Sequence, residues 1–281
     1  MKRYRVLHTT GFDYEAMVVA SYNEARMLPA RTETQVVFSS KLEMNPEGTS
    51  HEYVDFFNTR TVAFEVLEPH SALQITANSV VELRPSEQVA PQLLDWPMLA
   101  EVVGSNLELV DALGQTSRTD PPAAVTKFAR ELAAKLNPNE TALAICKQIF
   151  AAMEYRHGQT GVHSIASDAW LRKVGVCQDY AHIALGALRA VKIPARYVSG
   201  YLHPQLEPKV GETVVGESHA WVEWFVGEWI AFDPTNDVSV KDRHIVVGHG
   251  RDYDDIAPLR GVYAGSNDSK LNVRVEITRE V

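Results

Sequence analysis

From Asp120 onward the apolar residues of this chain fall three to four positions apart, whereas before Pro85 and again from Ala195 they fall in short β-branched and aromatic runs. A helix buries every third or fourth side chain and a strand every second, so no all-α or all-β architecture accommodates both patterns. Tyr4–Thr9, Gln35–Glu43, His51–Phe57, Thr61–Val66 and Ala72–Leu83 read as strands. Turn clusters such as Asn45-Pro46-Glu47-Gly48 separate them, which is the spacing of a small antiparallel sandwich or barrel. With 281 residues the chain has room for two domains. The expected organisation is a β-rich domain over 1–84, a connector over 85–119 carrying Pro85, Pro91 and Pro97, and an α+β core over 120–281.

Within that core, Asp120-Pro121 and Asn137-Pro138 each place a capping residue before a proline at the first helical position, and Glu140 completes a capping box with Asn137. Two consecutive helices are expected. In the second, Ala142, Ile145, Cys146, Ile149, Phe150 and Met153 form an apolar stripe, so Cys146 reads as a core residue. A third helix is expected from Cys177 to Val191, then strands over Ala195–Leu202, Ala220–Val226, Trp229–Phe232 and Leu271–Thr278. The core is thus helices first and an antiparallel sheet after.

Composition narrows the function. A formal charge of −9, from 36 acidic against 27 basic residues with no Lys/Arg run, argues against a nucleic-acid or anionic-membrane surface. The expected partners are small molecules, peptides or proteins, which the resemblance given below narrows to a peptide or protein substrate, and oligomeric state is not legible. No window approaches a membrane span, and no apolar stretch follows the basic N-terminal residues, so a cytoplasmic protein is expected. Two cysteines make no disulfide framework, and neither C-x-x-C nor H-E-x-x-H is present, so neither a metal nor another cofactor is expected.

Three segments carry chemistry. Gly175-Val176-Cys177-Gln178-Asp179-Tyr180-Ala181 sets a cysteine where a loop turns into a helix, and there the free N–H groups and the helix dipole favour a thiolate and can receive an oxyanion. Glu217-Ser218-His219-Ala220-Trp221 brings a histidine into a strand, and Trp229-Ile230-Ala231-Phe232-Asp233-Pro234 ends the next strand on an aspartate. Each alone has an ordinary structural explanation: an inert thiol, a surface histidine, a strand-to-turn Asp-Pro. Their order supplies nucleophile, base and base-orienting residue from neighbouring elements.

At these residues the chain resembles a known family. Gly175-Val176-Cys177-Gln178-Asp179, Ala195-Arg196-Tyr197-Val198-Ser199-Gly200-Tyr201, Ser218-His219-Ala220-Trp221-Val222-Glu223 and Asp233-Pro234-Thr235-Asn236 are similar to core motifs of bacterial transglutaminase-like proteins of the papain-like superfamily. Arg243-His244-Ile245-Val246-Val247, Gly250-Arg251-Asp252-Tyr253 and Leu259-Arg260-Gly261-Val262 resemble the end of that core. Tyr22-Asn23-Glu24-Ala25-Arg26 and Asp55-Phe56-Phe57-Asn58 resemble its accompanying β-rich N-terminal domain. The resemblance implies a papain-like core with a triad of Cys177, His219 and Asp233, acting on peptide or carboxamide bonds through a thioester, as protease, amidase or acyltransferase. It implies no metal. Eukaryotic members use a tryptophan ahead of a Gly-Val-Ser segment as oxyanion donor, and Tyr155, ahead of Gly161-Val162-His163-Ser164, holds a similar place. The competing expectation is a catalytically silent binding or scaffolding module on the same fold.

Asp179 reads as a structural cap of its helix. Trp221 and Trp224 point to opposite strand faces, one expected in the core and the other walling a cleft. The triad also constrains a hairpin. A two-residue loop at Gly227-Glu228 would set Asp233 opposite Val222, on the face away from His219; an odd loop or a bulge sets it opposite Trp221, on the face of His219. An odd loop or bulge between Trp224 and Ile230 is therefore expected, with an Asp233 oxygen about 2.6–3.2 Å from one imidazole nitrogen.

Overall fold

The computed structural model describes residues 1–85, 93–159, 161–265 and 268–281. Six strands open the chain: β1 (Lys2–Val18), β2 (Ala20–Ala25), β3 (Gln35–Asn45), β4 (Thr49–Val54), β5 (Arg60–Val66) and β6 (His70–Leu83). Helices α1 (Trp96–Gly104), α2 (Leu107–Asp111), α3 (Ala123–Ala133) and α4 (Pro138–Ala152) follow. Then come β7 (Glu154–Tyr155), α5 (Ala166–Arg172), β8 (Val174–Gly175) and α6 (Cys177–Ala190). The chain ends in β9 (Ala195–Leu202), β10 (Thr213–Phe225), β11 (Trp229–Asp233), β12 (Val238–Ser239), β13 (His244–Gly250), a short 3-10 turn, β14 (Leu259–Ala264) and β15 (Ser269–Arg279). The fold is α+β with antiparallel main sheets, as the change of period predicts.

Strand period two explains the N-terminal half: Tyr4, Val6, His8 and Thr10 of β1 are buried in alternation. Strands β3, β6 and β1 lie in one sheet, and β4, β5, β2 and β14 form a second. Ala25, Val62, Phe64, Val66, Leu73, Ile75 and Ala77 fill the space between, making the expected sandwich. The last strands behave differently from the expectation that Leu271–Thr278 closes the second half. Strand β15 pairs along most of β1, and β14 pairs with β2, so the C-terminus completes both sheets of the N-terminal half.

In the middle, helices α1, α3, α4, α5 and α6 share a core with the sheet through Leu99, Val125, Ile145, Ile149, Leu185, Val222 and Trp224. The segment read as a connector is thus partly core, since α1 and α2 bury Leu99, Val103 and Leu109 there; its residues 86–92, Pro91 included, lie outside the described residues. Asn137 caps α4 with the expected capping box. Asp120 caps nothing: α3 begins at Ala123 behind Pro122. The reason is local, because Pro122 pushes Pro121 out of helical geometry and delays the helix.

Strand β10 joins the two halves. Thr213–Gly216 pair with β15, Glu217–Trp224 pair with β9, and Val222–Phe225 pair on the other edge with β11. His219 therefore sits just past the point where β10 passes from the N-terminal sheet into the helix-covered one.

Candidate active site

Cys177 is the first residue of α6, and the local sequence dictates that start. Val176 is extended at the cap position, and the Asp179 carboxylate reaches back to accept the Val176 N–H at 2.8 Å. The other carboxylate oxygen accepts from Ser164 Oγ. Asp179 is fully buried and its oxygens hold the loop to the helix, the structural part expected of it. Gly175 is required beneath it, because a Cβ there would lie 2.7 Å from Asp179 Cβ. The thiol is left partly exposed at the helix N-terminus, where unpaired N–H groups converge.

The β10–β11 hairpin brings His219 and Asp233 together. Phe225 pairs with Trp229 and Trp224 with Ile230 across a three-residue loop whose Gly227 has φ of +110°, a conformation that favours glycine. The odd loop is the one expected if His219 and Asp233 are to share a face. Continued one step beyond Val222↔Phe232, the register sets Asp233 beside Trp221 on the face of His219. His219 Nε2 donates to Asp233 Oδ2 at 2.7 Å. The Cys177 thiol also interacts with the ring and, with Asp233, raises its proton affinity.

Electrostatics follow from burial. Desolvation lowers the proton affinity of His219, but the hydrogen bonds and charges of Asp233 and Cys177 outweigh it and raise the imidazole to about 10. For Asp233 desolvation works in the opposite sense, toward protonation. Donors overcome it: His219, His244 Nε2 at 3.3 Å and Asn236 Nδ2 at 2.7 Å on Oδ2, with the N–H groups of Thr235 and Asn236 on Oδ1. The carboxyl is held well below the usual carboxylate range. His219 Nε2, Asp233 Oδ2 and His244 Nε2 also lie within 4.8 Å of one another, a spacing a cation could bridge. Their contacts are hydrogen bonds, however, and a carboxylate only accepts, so each imidazole Nε2 carries a proton there rather than a free lone pair.

Tyr155 pairs with Gly175 through the short parallel β7–β8 bridge, two residues ahead of Cys177. Tyr155 is 37% exposed, and its hydroxyl lies 3.5 Å from Glu217 Oε2. Burial, then the neighbouring Cys177 and Glu217, push the phenol well above its ordinary value, so it stays a neutral donor. Tyr155, His157, Leu202, Leu206, Val215 and Glu217 line a cleft of about 520 Å³ that reaches His219.

Other expectations separate here. Cys146 is fully buried in the helical core, where desolvation raises its thiol far above the ordinary range. Neither tryptophan walls the cleft: Trp221 and Trp224 are both 0% exposed. Trp224 donates to Asn139 Oδ1 at 3.0 Å, and Trp221 packs edge-on to His244 over Gly200, where a Cβ would come within 2.5 Å of its ring. Strand alternation separates the two faces correctly, but both faces of β10 are covered. Asn236 and His244, both partners of Asp233, carry no role on sequence grounds; an Asn three residues past a strand-ending Asp is a signal that could mark the first.

Known proteins bear on this arrangement. Residues 126–234 match the family model of the transglutaminase-like superfamily, and residues 4–82 match that of the bacterial transglutaminase-like N-terminal region. An uncharacterised protein of Mycobacterium leprae is 40% identical over 281 residues, covering 99% of each chain. A protein-glutamine gamma-glutamyltransferase of Pseudomonas aeruginosa is 36% identical over 84 residues, 28% of this chain and 13% of its own. The crystal structure of a candidate cysteine protease from Cytophaga hutchinsonii superposes with a TM-score of 0.78 over 99% of this chain and 90% of its own, at 24% identity, and so shares the fold. Matched in both halves, and along its whole length by a relative, the chain belongs to the transglutaminase-like superfamily, with the bacterial N-terminal region ahead of a papain-like core.

Proposed function

We propose that this protein is a thiol acyl-transfer enzyme acting on peptide or carboxamide bonds, with Cys177 as nucleophile, His219 as base and Asp233 as the residue that orients the base. One observation carries the reading: His219 Nε2 lies 2.7 Å from a buried carboxylate, and the same ring interacts with the thiol of Cys177 on the first turn of α6. That is the relay a thiol needs. His219 takes the thiol proton, the sulfur attacks the carbonyl carbon, and the developing oxyanion meets helix N-terminal N–H groups and the Tyr155 hydroxyl. As the C–N bond breaks, His219 returns the proton to the departing amine or ammonia and leaves a thioester. Water or a second amine then gives up a proton to His219, attacks the thioester and releases the thiol.

Substrate class follows from the cleft. Leu202, Leu206 and Val215 offer apolar contact beside polar Tyr155 and Glu217, which suits an extended peptide segment. Glutamine side chains are the first acyl donors to try, since a relative of part of this chain is named as a protein-glutamine gamma-glutamyltransferase. Cys177 works only as a thiol, so a reducing compartment such as the cytoplasm suits this chemistry.

Mass spectrometry after incubation with glutamine-containing peptide libraries, with and without a primary amine, tests the reading. Loss of ammonia with gain of the amine marks transamidation, gain of water marks hydrolysis, and both should vanish in Cys177→Ala. Peptide capture without any mass change, equal in Cys177→Ala, would instead identify a binding module.

A further inference from the structure

We propose that His244 is a positioning residue of this site: a second imidazole that shares the Asp233 carboxylate with His219 and keeps the His219 imidazolium acidic enough to release its proton to a leaving amine. The inference rests on the catalytic reading of Cys177, His219 and Asp233.

The geometry is specific. His244 opens β13, is 4% exposed, and directs Nε2 to Asp233 Oδ2 at 3.3 Å, the same oxygen that His219 uses at 2.7 Å. Its tautomer is set from the other side, where Nδ1 accepts the Lys241 N–H at 3.4 Å, so Nε2 is the nitrogen that carries hydrogen. Trp221 packs edge-on to the ring with centroids 5.3 Å apart. Strand β13 is itself clamped two residues on: buried Gln35 donates to Val246 O and accepts from Val246 N, each at 2.8 Å. The N-terminal β-rich half thereby helps to fix His244.

Charge sharing is the consequence. A carboxylate bonded only to an imidazole concentrates its charge there and holds the imidazolium tightly, whereas each further donor on Oδ2 draws part of that charge away. His244 can do this only while neutral. Burial lowers its proton affinity, and the neighbouring His219 and Arg243 charges lower it further, against the pull of Asp233. Other titratable groups that interact with the network are Cys177 of α6, Tyr155 of β7 and Cys146 of α4, the last two through Asp233.

The test pairs two substrates of one acyl group, a 4-nitrophenyl ester, whose leaving group departs without a proton, and an anilide, whose leaving group needs one. His244→Leu should lower kcat on the anilide about tenfold, leave the ester rate and KM within about twofold, and raise the His219 titration seen by NMR by about half a unit. His244→Gln, which restores an amide N–H near the Nε2 position, should recover most of the anilide rate. Equal slowing of both substrates, an unmoved His219 titration, or no rescue by Gln overturns the inference and leaves His244 as packing. NMR of the unmutated protein checks the premise without any variant, because a charged or Nδ1–H His244 at neutral pH also overturns it. Failure of the unmutated protein to form an acyl-enzyme with the ester defeats the catalytic reading itself, an outcome separate from the others.

Discussion

The chain holds two thiols, one in the middle of α4 and one at the start of α6, and the contrast between them teaches what makes a cysteine reactive. Cys146 lies on a helical stripe with Ala142, Ile145 and Ile149, all fully buried, and desolvation, helped by the charges of Asp237 and Asp233, keeps its proton on. Cys177 occupies a helix whose other residues are almost all buried as well, yet it stands on the first turn, partly exposed, with a histidine as partner. Helix position decides the difference. An interior residue meets only side chains, whereas a first-turn residue meets unpaired N–H groups and whatever the preceding loop brings, here Tyr155 through its bridge to Gly175.

The largest test of that contrast removes the thiol of Cys177, the proposed nucleophile. Cys177→Ala should lower turnover by at least about a thousandfold while leaving the melting temperature nearly unchanged, because a partly exposed sulfur adds little packing. Iodoacetamide labelling followed by peptide mapping should then show almost no modified cysteine. A parallel fall of stability and activity would place Cys177 with Cys146 as a structural residue.

Asp233→Asn ranks next, because it removes the charge that holds the imidazolium while keeping the shape of the side chain. Turnover should fall by about a hundredfold or more. Stability gives a second readout. The raised value of His219, to about 10, means its stabilising contribution is complete below the unfolded imidazole value near 6.5 and is lost as pH rises toward 10. The depressed Asp233 contributes above the unfolded carboxyl value near 4 and is lost only as pH falls below it. Thermal melts between pH 6.5 and 10 should therefore decline in the unmutated protein and flatten in Asp233→Asn. Identical slopes would mean that the pair is not ionised as described.

Tyr155→Phe perturbs the loop side of the contrast. In the proposed mechanism this removes one oxyanion donor while the helix N–H groups remain, so kcat should fall about tenfold to a hundredfold, with KM little changed. An unaltered kcat would confine the oxyanion to the backbone donors.

The sequence made these sites legible to different depths. Where neighbours in sequence make the geometry, the reading holds: the Asn137 capping box, the start of α6 at Cys177, and a hairpin whose loop parity alone decides whether Asp233 can meet His219. Where distant segments make it, the reading fails. Polar, alanine-containing β2 is a strand only because β5 and β14 flank it, and β15 pairs across almost the whole chain length with β1. Trp221 is buried from its second face by strands that local alternation cannot anticipate, and the His244 contact joins residues brought together by the β9–β13 pairing.

The smallest expected effect belongs to Cys146→Ser, and it is the one that sharpens the comparison most, since it changes a single atom in the other thiol. A serine hydroxyl at a fully buried position among Ala142, Ile145 and Ile149 has no polar side chain on its own helical stripe to bond. It can turn back to a carbonyl one turn earlier, which satisfies the hydrogen but crowds the helix. The cost should be roughly 1–3 kcal/mol, read from denaturant unfolding. Neither the α6 cap nor the β10–β11 hairpin passes through that position, so kcat, KM and the labelling rate of Cys177 should stay within about twofold of their original values, because stability and chemistry are separable for independent sites. A variant that keeps its stability but loses Cys177 labelling would reverse the assignment of the two thiols.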